Sequence, residues 1–134
     1  MSGAGYALAS LDTIPATGEA AGASWKPLRH HFNVTAFGVN AWVANAEGDE
    51  VVEEHTELED DVQGHEELYV VTRGYAKFTI GGDELEAPAG TVVFVGDPAL
   101  RRKAVACVRG TTVLAVGDKP GSFEPSEWER RSFS

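Results

Sequence analysis

Short runs of apolar and β-branched residues, bounded by turn residues, recur along much of the chain, which is typical of short β-strands. Residues 75–80 (YAKFTI) alternate between apolar and polar and end at a two-glycine hairpin signal, Gly81-Gly82, and residues 67–72 (ELYVVT) are another such run. Further stretches with strand character, separated by Gly, Pro and Asp, are 34–44, 50–55, 83–87, 91–95 (apolar enough to be buried), 102–108 and 111–116. Eight short strands at regular turn spacing predict an all-β sandwich or small barrel.

The pattern divides the chain into three parts. Residues 1–32 are an N-terminal extension rich in Ala, Gly, Ser and Thr, which forms either an edge strand or a loose segment. Residues 33–117 form the β-barrel, and residues 118–134 form a polar C-terminal tail. Three aromatic residues are spaced through this tail: Phe123, Trp128 and Phe133. We expect them to pin the tail to the barrel or to a partner subunit.

Composition narrows the classes of partner. The chain has 134 residues, enough to bury one core, and a formal net charge of -10. Such an acidic surface repels phosphate backbones and anionic membranes, so we expect neither nucleic acid nor membrane as a partner. The single cysteine, Cys107, excludes an internal disulfide, and the N-terminus lacks the pattern of a signal peptide. We therefore expect a cytoplasmic protein.

The stretch 55–117 resembles the cupin superfamily. Residues 67–74 (ELYVVTRG) are similar to the end of the first cupin motif. Residues 81–82 (GG) and 88–90 (PAG), followed by an apolar strand, are similar to the region between the two motifs, and residues 90–105 stand where the second motif lies. The resemblance implies a cupin-type double-stranded β-helix, a jelly-roll-like small barrel.

The metal motif of this family is altered here. A cupin metal site has a His-x-His pair, then a Glu, then a later His. His55 stands for the first His, and Glu57 stands where the second would be. The second motif reads GDPALR over 96–101, so Arg101 takes the place of the last His. Arginine is permanently charged and has no lone pair to offer a metal.

The candidate metal ligands are His55, His65 and Glu67. The resemblance places Glu67 in the barrel mouth, and His65 points with it if the strand begins that early, because residues two apart share a face. Two imidazoles and a carboxylate suit divalent iron, manganese, nickel or zinc, with open positions for water or substrate. The alternative is that both histidines only lie beside an acidic loop, residues 56–64, and bind no metal.

Other residues are candidates for ligand binding. Arg101 could bind a carboxylate or phosphate, pair with Glu67 in a metal-free site, or belong to a basic surface turn with Arg102 and Lys103. Three aromatic residues are predicted to line either the ligand cavity or the core: Trp42, Tyr69 and Phe94.

These observations leave three functions open. The first is an enzyme acting on a small, anionic organic molecule with a metal ion, as a dioxygenase, isomerase or lyase. The second is a metal-free module that binds or senses a small ligand. The third is a dimeric structural domain that exchanges its tail between subunits. Sheet edges that need covering predict a homodimer. The sequence has no Gly-x-Ser-x-Gly, phosphate-binding glycine loop or Cys-x-x-Cys.

Overall fold

β-strands are the main secondary structure of the described residues, as the strand-like runs in the sequence predict. The computed structural model describes residues 2–58 and 64–133, so part of the predicted acidic loop, residues 59–63, lies outside the described residues. The strands in these ranges are β1 Ser2–Gly3, β2 Tyr6–Ala7, β3 Gly18–Ala20, β4 Ala23–Lys26, β5 Gly38–Val43, β6 Glu50–His55, β7 Glu66–Arg73, β8 Tyr75–Ile80, β9 Asp83–Pro88, β10 Val92–Val95, β11 Arg102–Ala106 and β12 Thr112–Asp118. The helices are a 3₁₀ helix at Leu11–Thr13, α1 at Leu28–Phe32 and α2 at Glu127–Ser132. No helix in the described ranges is long and apolar enough to cross a membrane.

Two antiparallel sheets form the body of the protein. The larger has the strand order β10-β7-β12-β5-β4-β3, and the smaller has the order β6-β11-β8-β9. From β5 onward the chain passes from one sheet to the other after nearly every strand, and only β8 and β9 follow one another in the same sheet. This crossing pattern is that of a jelly roll, and it brings the ends of β6 and β7 together although they belong to different sheets.

The two sheets bury their facing sides against each other. Tyr69 of β7 and Phe78 of β8 come from opposite sheets, and their ring centroids lie 5.7 Å apart. The two residues are 1% and 0% exposed. Burying an aromatic or large aliphatic side chain is worth about 1.5–3 kcal/mol, so this contact is a main source of stability. It also fixes the wall of the cavity described below.

The N-terminal extension lies on the larger sheet. Its strands β3 and β4 extend that sheet beyond β5. Ile14 and Leu28 are buried against Ala41 on the outer face of β5. Pro27 precedes α1, and Asn33 ends it in the left-handed conformation, with φ at 56°. Helix α1 is therefore short, and it covers one part of the sheet.

The hairpin between β8 and β9 turns at the two glycines that predicted it. Gly81 and Gly82 have φ angles of +55° and +96°. A type I′ turn requires positive φ at both central residues, and glycine adopts it without a steric penalty. Ile80 and Asp83 pair on either side of the turn, which confirms the predicted hairpin.

Two segments differ from the sequence prediction. Strand β10, predicted to be buried, lies at the edge of the larger sheet and exposes Val92 and Phe94, because apolar residues on both faces do not reveal which face meets the core. The tail contains the unpredicted helix α2, whose N-cap Ser126 accepts a hydrogen bond from the backbone N–H of Glu129 at 3.2 Å. Trp128 on this helix is 71% exposed, so it does not pin the tail to its own barrel.

Candidate functional site

A cavity of about 480 Å³ opens beside the end of β6 and the start of β7. Its polar lining residues are Asn40, Glu53, Glu54, His55, Thr56, Glu57, His65 and Glu67. Its apolar lining residues are Trp42, Val52, Tyr69 and Ala115. The polar residues include all three of the metal ligands predicted from the sequence.

His55, the last residue of β6, lies between two carboxylates. Its Nδ1–H donates to the backbone carbonyl of Glu53 at 2.6 Å. Its Nε2 lies 2.7 Å from Glu57 Oε2 and 3.5 Å from Glu67 Oε1. The hydrogen bonds to Glu57 and Glu67 outweigh desolvation and raise the pKa of His55 to about 10. Without a metal ion, His55 is therefore an imidazolium at neutral pH.

Glu67 points inward from β7. Its neighbour on β12 is Gly117, where a Cβ atom would lie 3.1 Å from Glu67 Cγ, so the glycine leaves room for this side chain. Oε1 accepts hydrogen bonds from the Tyr69 hydroxyl and from Arg102 Nη1. Burial opposes ionisation, but the hydrogen bonds from His55 and Tyr69 and the charges of His55 and Arg102 outweigh it. The pKa of Glu67 is thus held below its ordinary value.

Arg102 brings a buried positive charge to the same group. Its side chain is fully buried, and its Nη1 lies 3.3 Å from Glu67 Oε1. Its Nε donates to the carbonyl of Leu100 at 3.1 Å, and its Nη2 donates to the carbonyls of Asp97 and Leu100 at 3.1 and 2.9 Å. Arg102 is also the direct cross-strand neighbour of His55. These hydrogen bonds fix the position of the guanidinium group, with its Nη1 directed at Glu67.

The alternation of β11 determines which arginine enters the protein. Arg102, Ala104 and Ala106 are buried, whereas the residues between them are more exposed. Arg101 therefore falls on the outer side, where its side chain is 57% exposed and its Nη1 lies 3.6 Å from Glu54 Oε2. The ion pair with Glu67, one of the alternatives considered for Arg101, is made by its neighbour Arg102. The small apolar residues in phase with Arg102 were the sequence signal for this register.

Glu57 and His65 face each other at the mouth of the cavity. Glu57 follows β6, and its backbone N–H donates to the carbonyl of Pro98 at 2.9 Å, which holds it beside His55. His65 precedes β7; its side chain is 40% exposed, and its Nδ1 lies 3.6 Å from Glu57 Oε1. Glu57 thus lies between the two histidines. Among the described residues, the ligand atoms that lie within 4.8 Å of one another belong to His55, Glu57 and Glu67, and His65 is not part of this group.

This group fits a divalent metal ion. Ligand atoms of His55, Glu57 and Glu67 all lie within 4.8 Å of one another. An imidazole and two carboxylates suit iron, manganese, nickel or zinc. The hydrogen bond from His55 Nδ1 to the Glu53 carbonyl turns Nε2 towards the carboxylates, as is usual for a metal-bound histidine. With His55 neutral, two carboxylates and the Arg102 guanidinium leave one net negative charge to attract the ion.

Of the three aromatic candidates, Trp42 and Tyr69 line the cavity and Phe94 does not. Trp42 stacks on Trp25, with ring centroids 6.1 Å apart. Burial, reinforced by the charge of Glu67, raises the pKa of Tyr69, so its hydroxyl remains a hydrogen-bond donor. Phe94 is 60% exposed and lies on the outer face of the larger sheet.

Solved structures of other proteins share this architecture. A cupin protein from Bacteroides fragilis is 19% identical over 92% of both chains, with a TM-score of 0.65. A sugar phosphate isomerase from a cupin superfamily, from Silicibacter pomeroyi, is 22% identical over 82% of this chain and 74% of its own, with a TM-score of 0.66. The chain has the cupin fold. KdgF from Halomonas sp. is 13% identical over 81% of this chain and 88% of its own, with a TM-score of 0.64.

These likenesses confirm the predicted cupin-type fold. No protein-family model matches the sequence, and no curated protein matches it. At such low identity the likeness shows the fold alone, because one cupin-like scaffold can host many chemistries. The function has to be argued from the residues of the cavity.

Proposed function

We propose that this cupin-fold protein is an enzyme that acts on a small organic molecule and binds a divalent metal ion through His55, Glu57 and Glu67. The main support is the convergence of one imidazole nitrogen and two carboxylate oxygens within 4.8 Å, in a cavity of about 480 Å³. His65, one of the three ligands that the sequence predicts, lies close enough to Glu57 to be a fourth ligand in this set or to act on substrate beside the ion. The donor set suits iron, manganese, nickel or zinc.

The residues around the cavity have separate roles in this proposal. A bound ion would supply Lewis-acid chemistry, which polarises an oxygen atom of the substrate. Arg102 positions Glu67 and offsets its charge. His65, at the mouth, can carry a proton between substrate and water. Trp42 offers an aromatic face to the remainder of the substrate, and Asn40 offers an amide donor and acceptor.

The charge of the cavity favours an anionic substrate only when a metal ion is present. Four carboxylates line the cavity: Glu53, Glu54, Glu57 and Glu67. Arg101 pairs with Glu54 and is not itself among the residues that line the cavity. A divalent ion would change the centre formed by Glu57, Glu67 and Arg102 from one negative to one positive charge. An isomerase, lyase or dioxygenase that uses an acidic substrate fits this arrangement, and one relative in fold is a sugar phosphate isomerase.

Elemental analysis of protein purified without a metal-binding tag tests the proposal. We expect close to one ion per chain in the wild type, and loss of the ion in His55→Ala, Glu57→Gln and Glu67→Gln. Glu53→Gln is the matched control, because the Glu53 side chain is exposed and only its backbone carbonyl holds His55. His65→Ala separates the two ligand sets: retention of the ion supports Glu57 as the third ligand, and loss supports His65.

Two outcomes would overturn this metal site. One is wild-type protein that takes up no ion after incubation with iron, manganese, nickel and zinc in turn. The other is an ion that survives both His55→Ala and Glu67→Gln, since it would then be bound elsewhere.

One observation favours a second candidate, a metal-free module that binds or senses a small ligand. In the absence of metal, His55 and Arg102 give two positive charges to Glu57 and Glu67, so the group is already neutral and hydrogen-bonded. Such a site needs no ion for stability. This candidate predicts no bound metal and a rise in melting temperature with the ligand, by mass action. The same elemental analysis separates the two candidates.

A further inference from the structure

Two rows of paired residues cross the inner face of the larger sheet beside the cavity. The row nearest the start of β7 consists of Glu67, Gly117 and Gly38, on β7, β12 and β5. The next row inward consists of Tyr69, Ala115 and Asn40 on the same three strands. Directly paired residues of neighbouring strands point to the same side of a sheet. Glu67 and Asn40 therefore face the same space from strands that are not direct neighbours.

Small residues separate Glu67 from Asn40. Gly117, next to Glu67, has no side chain, and Ala115, which lines the cavity next to Asn40, has only a methyl group. Neighbouring strands lie roughly 4.8 Å apart, so β5 runs about 10 Å from β7. This floor leaves room for a molecule that reaches from the charged group at Glu67 to the side chain of Asn40.

Asn40 offers hydrogen bonds that the protein does not use. Its side chain is partly buried, lines the cavity and makes no hydrogen bond with another described residue. A carboxamide has an acceptor oxygen and a donor nitrogen, and both lose free energy when a ligand excludes water without replacing its hydrogen bonds. The group that suits Asn40 therefore both donates and accepts, as an amide or a hydroxyl does.

No fixed positive charge lies near Asn40 to bind an anion. Among the described residues, the cavity is lined by neither lysine nor arginine. Two exposed carboxylates, Glu53 and Glu54, also line it, and the second is paired with Arg101. Glu53 therefore adds an unbalanced negative charge to the lining. A carboxylate or phosphate beside Asn40 would meet no cation and would be repelled.

We propose that Asn40 determines substrate specificity by binding the uncharged, hydrogen-bonding end of a small monocarboxylic acid. The carboxylate of this acid lies at the metal centre, and its chain crosses Ala115 beside the aromatic face of Trp42. The inference rests on the metal site proposed above and adds the class of substrate to it. That class is an acid with a single negative charge and an amide or hydroxyl group at its far end.

Calorimetric titration of the metal-loaded protein with three α-hydroxy acids tests the proposal. Malate, the amide of its far carboxylate and the corresponding primary amine share one head group and end in an anionic, a neutral or a cationic group. We expect the amide to bind about tenfold more tightly than either of the others, the effect of roughly one hydrogen bond. The homologues with one more methylene group, titrated in the same way, allow for the length of the chain.

Variants of the cavity floor show whether Asn40 is responsible. Asn40→Leu, which is similar in size, should bind the amide about tenfold more weakly and lose the preference. Asn40→Lys should reverse the preference in favour of malate. Ala115→Leu should weaken the binding of all three acids but not of glycolate, which has no chain to cross this residue. Thr79→Leu is the matched control, because Thr79 follows the buried Phe78 and points to the outer side of β8.

The metal content of each protein separates failure of this inference from failure of the proposed function. Every variant should keep its ion, because neither Asn40 nor Ala115 belongs to the donor group. Wild-type protein that takes up no ion overturns the metal site and this inference with it. Protein that holds its ion overturns the inference alone if it binds none of the three acids, if it binds malate or the amine as tightly as the amide, or if Asn40→Leu binds the amide as the wild type does.

Discussion

Strand β7 separates two sides of opposite chemistry. Glu67 and Tyr69 point to the inner side, where a buried arginine and a histidine contact the carboxylate. Leu68, between them in sequence, points to the outer side and lies beside the exposed Phe94. Because side chains alternate with a period of two, a shift of one residue separates a buried charged site from an exposed apolar one.

The two sides of the sheet differ in how far their side chains are exposed to water. On the inner side the charges are partly or fully buried, so Glu57 and Glu67 raise the pKa of His55, and His55 and Arg102 help to hold the pKa of Glu67 below its ordinary value. On the outer side, Val92 and Phe94 at the β10 end remain exposed to water and gain little from burial within the single chain. The inner side therefore stabilises the single chain more than this exposed end of the outer side does.

Truncating one phenylalanine on each side tests this contrast with the largest expected effect. Phe78 is 0% exposed, and Phe78→Ala should lower the free energy of unfolding by about 3–5 kcal/mol. Phe94 is 60% exposed, and Phe94→Ala should change it by about 0.5 kcal/mol or less. Urea unfolding measures both losses. Similar losses in the two variants would refute the contrast.

Substitution of the adjacent arginines, Arg101 and Arg102, should give the second largest difference in stability. Arg102→Met leaves Glu67 partly buried without its guanidinium and breaks the hydrogen bonds to backbone carbonyls, so we expect a loss of about 3 kcal/mol. Arg101→Met removes only an exposed ion pair with Glu54, so we expect a loss of about 1 kcal/mol or less. Urea unfolding in the presence of a metal chelator measures both losses.

A second measurement sharpens the test of Arg102. Without its positive charge the two carboxylates attract a divalent ion more strongly, so adding metal should stabilise Arg102→Met more than it stabilises the wild type. Equal stability of the Arg101 and Arg102 variants would mean that the buried guanidinium does not support Glu67.

Most of the fold could be predicted from strand periodicity and from the turns at glycine residues. Strands β6 and β8 were predicted with their observed bounds, 50–55 and 75–80, because each alternates or is flanked by clear turn residues. Strand β10 was harder, since VVFV is apolar on both faces and alternation gives no direction. For the same reason Phe94 could be assigned to the cavity, although it lies on the opposite face.

Sequence reasoning reached part of the inner site. His55 and Glu67 were singled out, and the structure brings them together with Glu57. Arg102 was missed because three consecutive cations, residues 101–103, looked like a surface turn, and the motif resemblance pointed to the first of them. Which cation is buried depends on the pleat of β11, and only the phase of its alanines carried that information.

The pH dependence of stability is the smallest effect, because His55 still reaches water, and it belongs to the inner side alone. In the metal-free protein, hydrogen bonds to Glu57 and Glu67 raise the pKa of His55 to about 10 from an unfolded value of 6.5. Between these values the folded state holds a proton that the unfolded state has lost. The free energy of unfolding should therefore fall as pH rises through this window. The contribution of His55 is fully present below pH 6.5 and is lost above about pH 10.

Urea unfolding with a chelator at pH 6, 8 and 10 isolates this contribution when the wild type is compared with His55→Gln, since titrating groups that do not contact His55 affect both proteins alike. The wild type should lose its advantage over His55→Gln as pH rises. Phe94→Ala, altered on the outer side of the sheet, should keep the wild-type slope. Parallel curves for the wild type and His55→Gln would mean that the imidazolium does not pair with Glu57 and Glu67. The separation of a charged inner side from an apolar outer side would then lose its electrostatic basis.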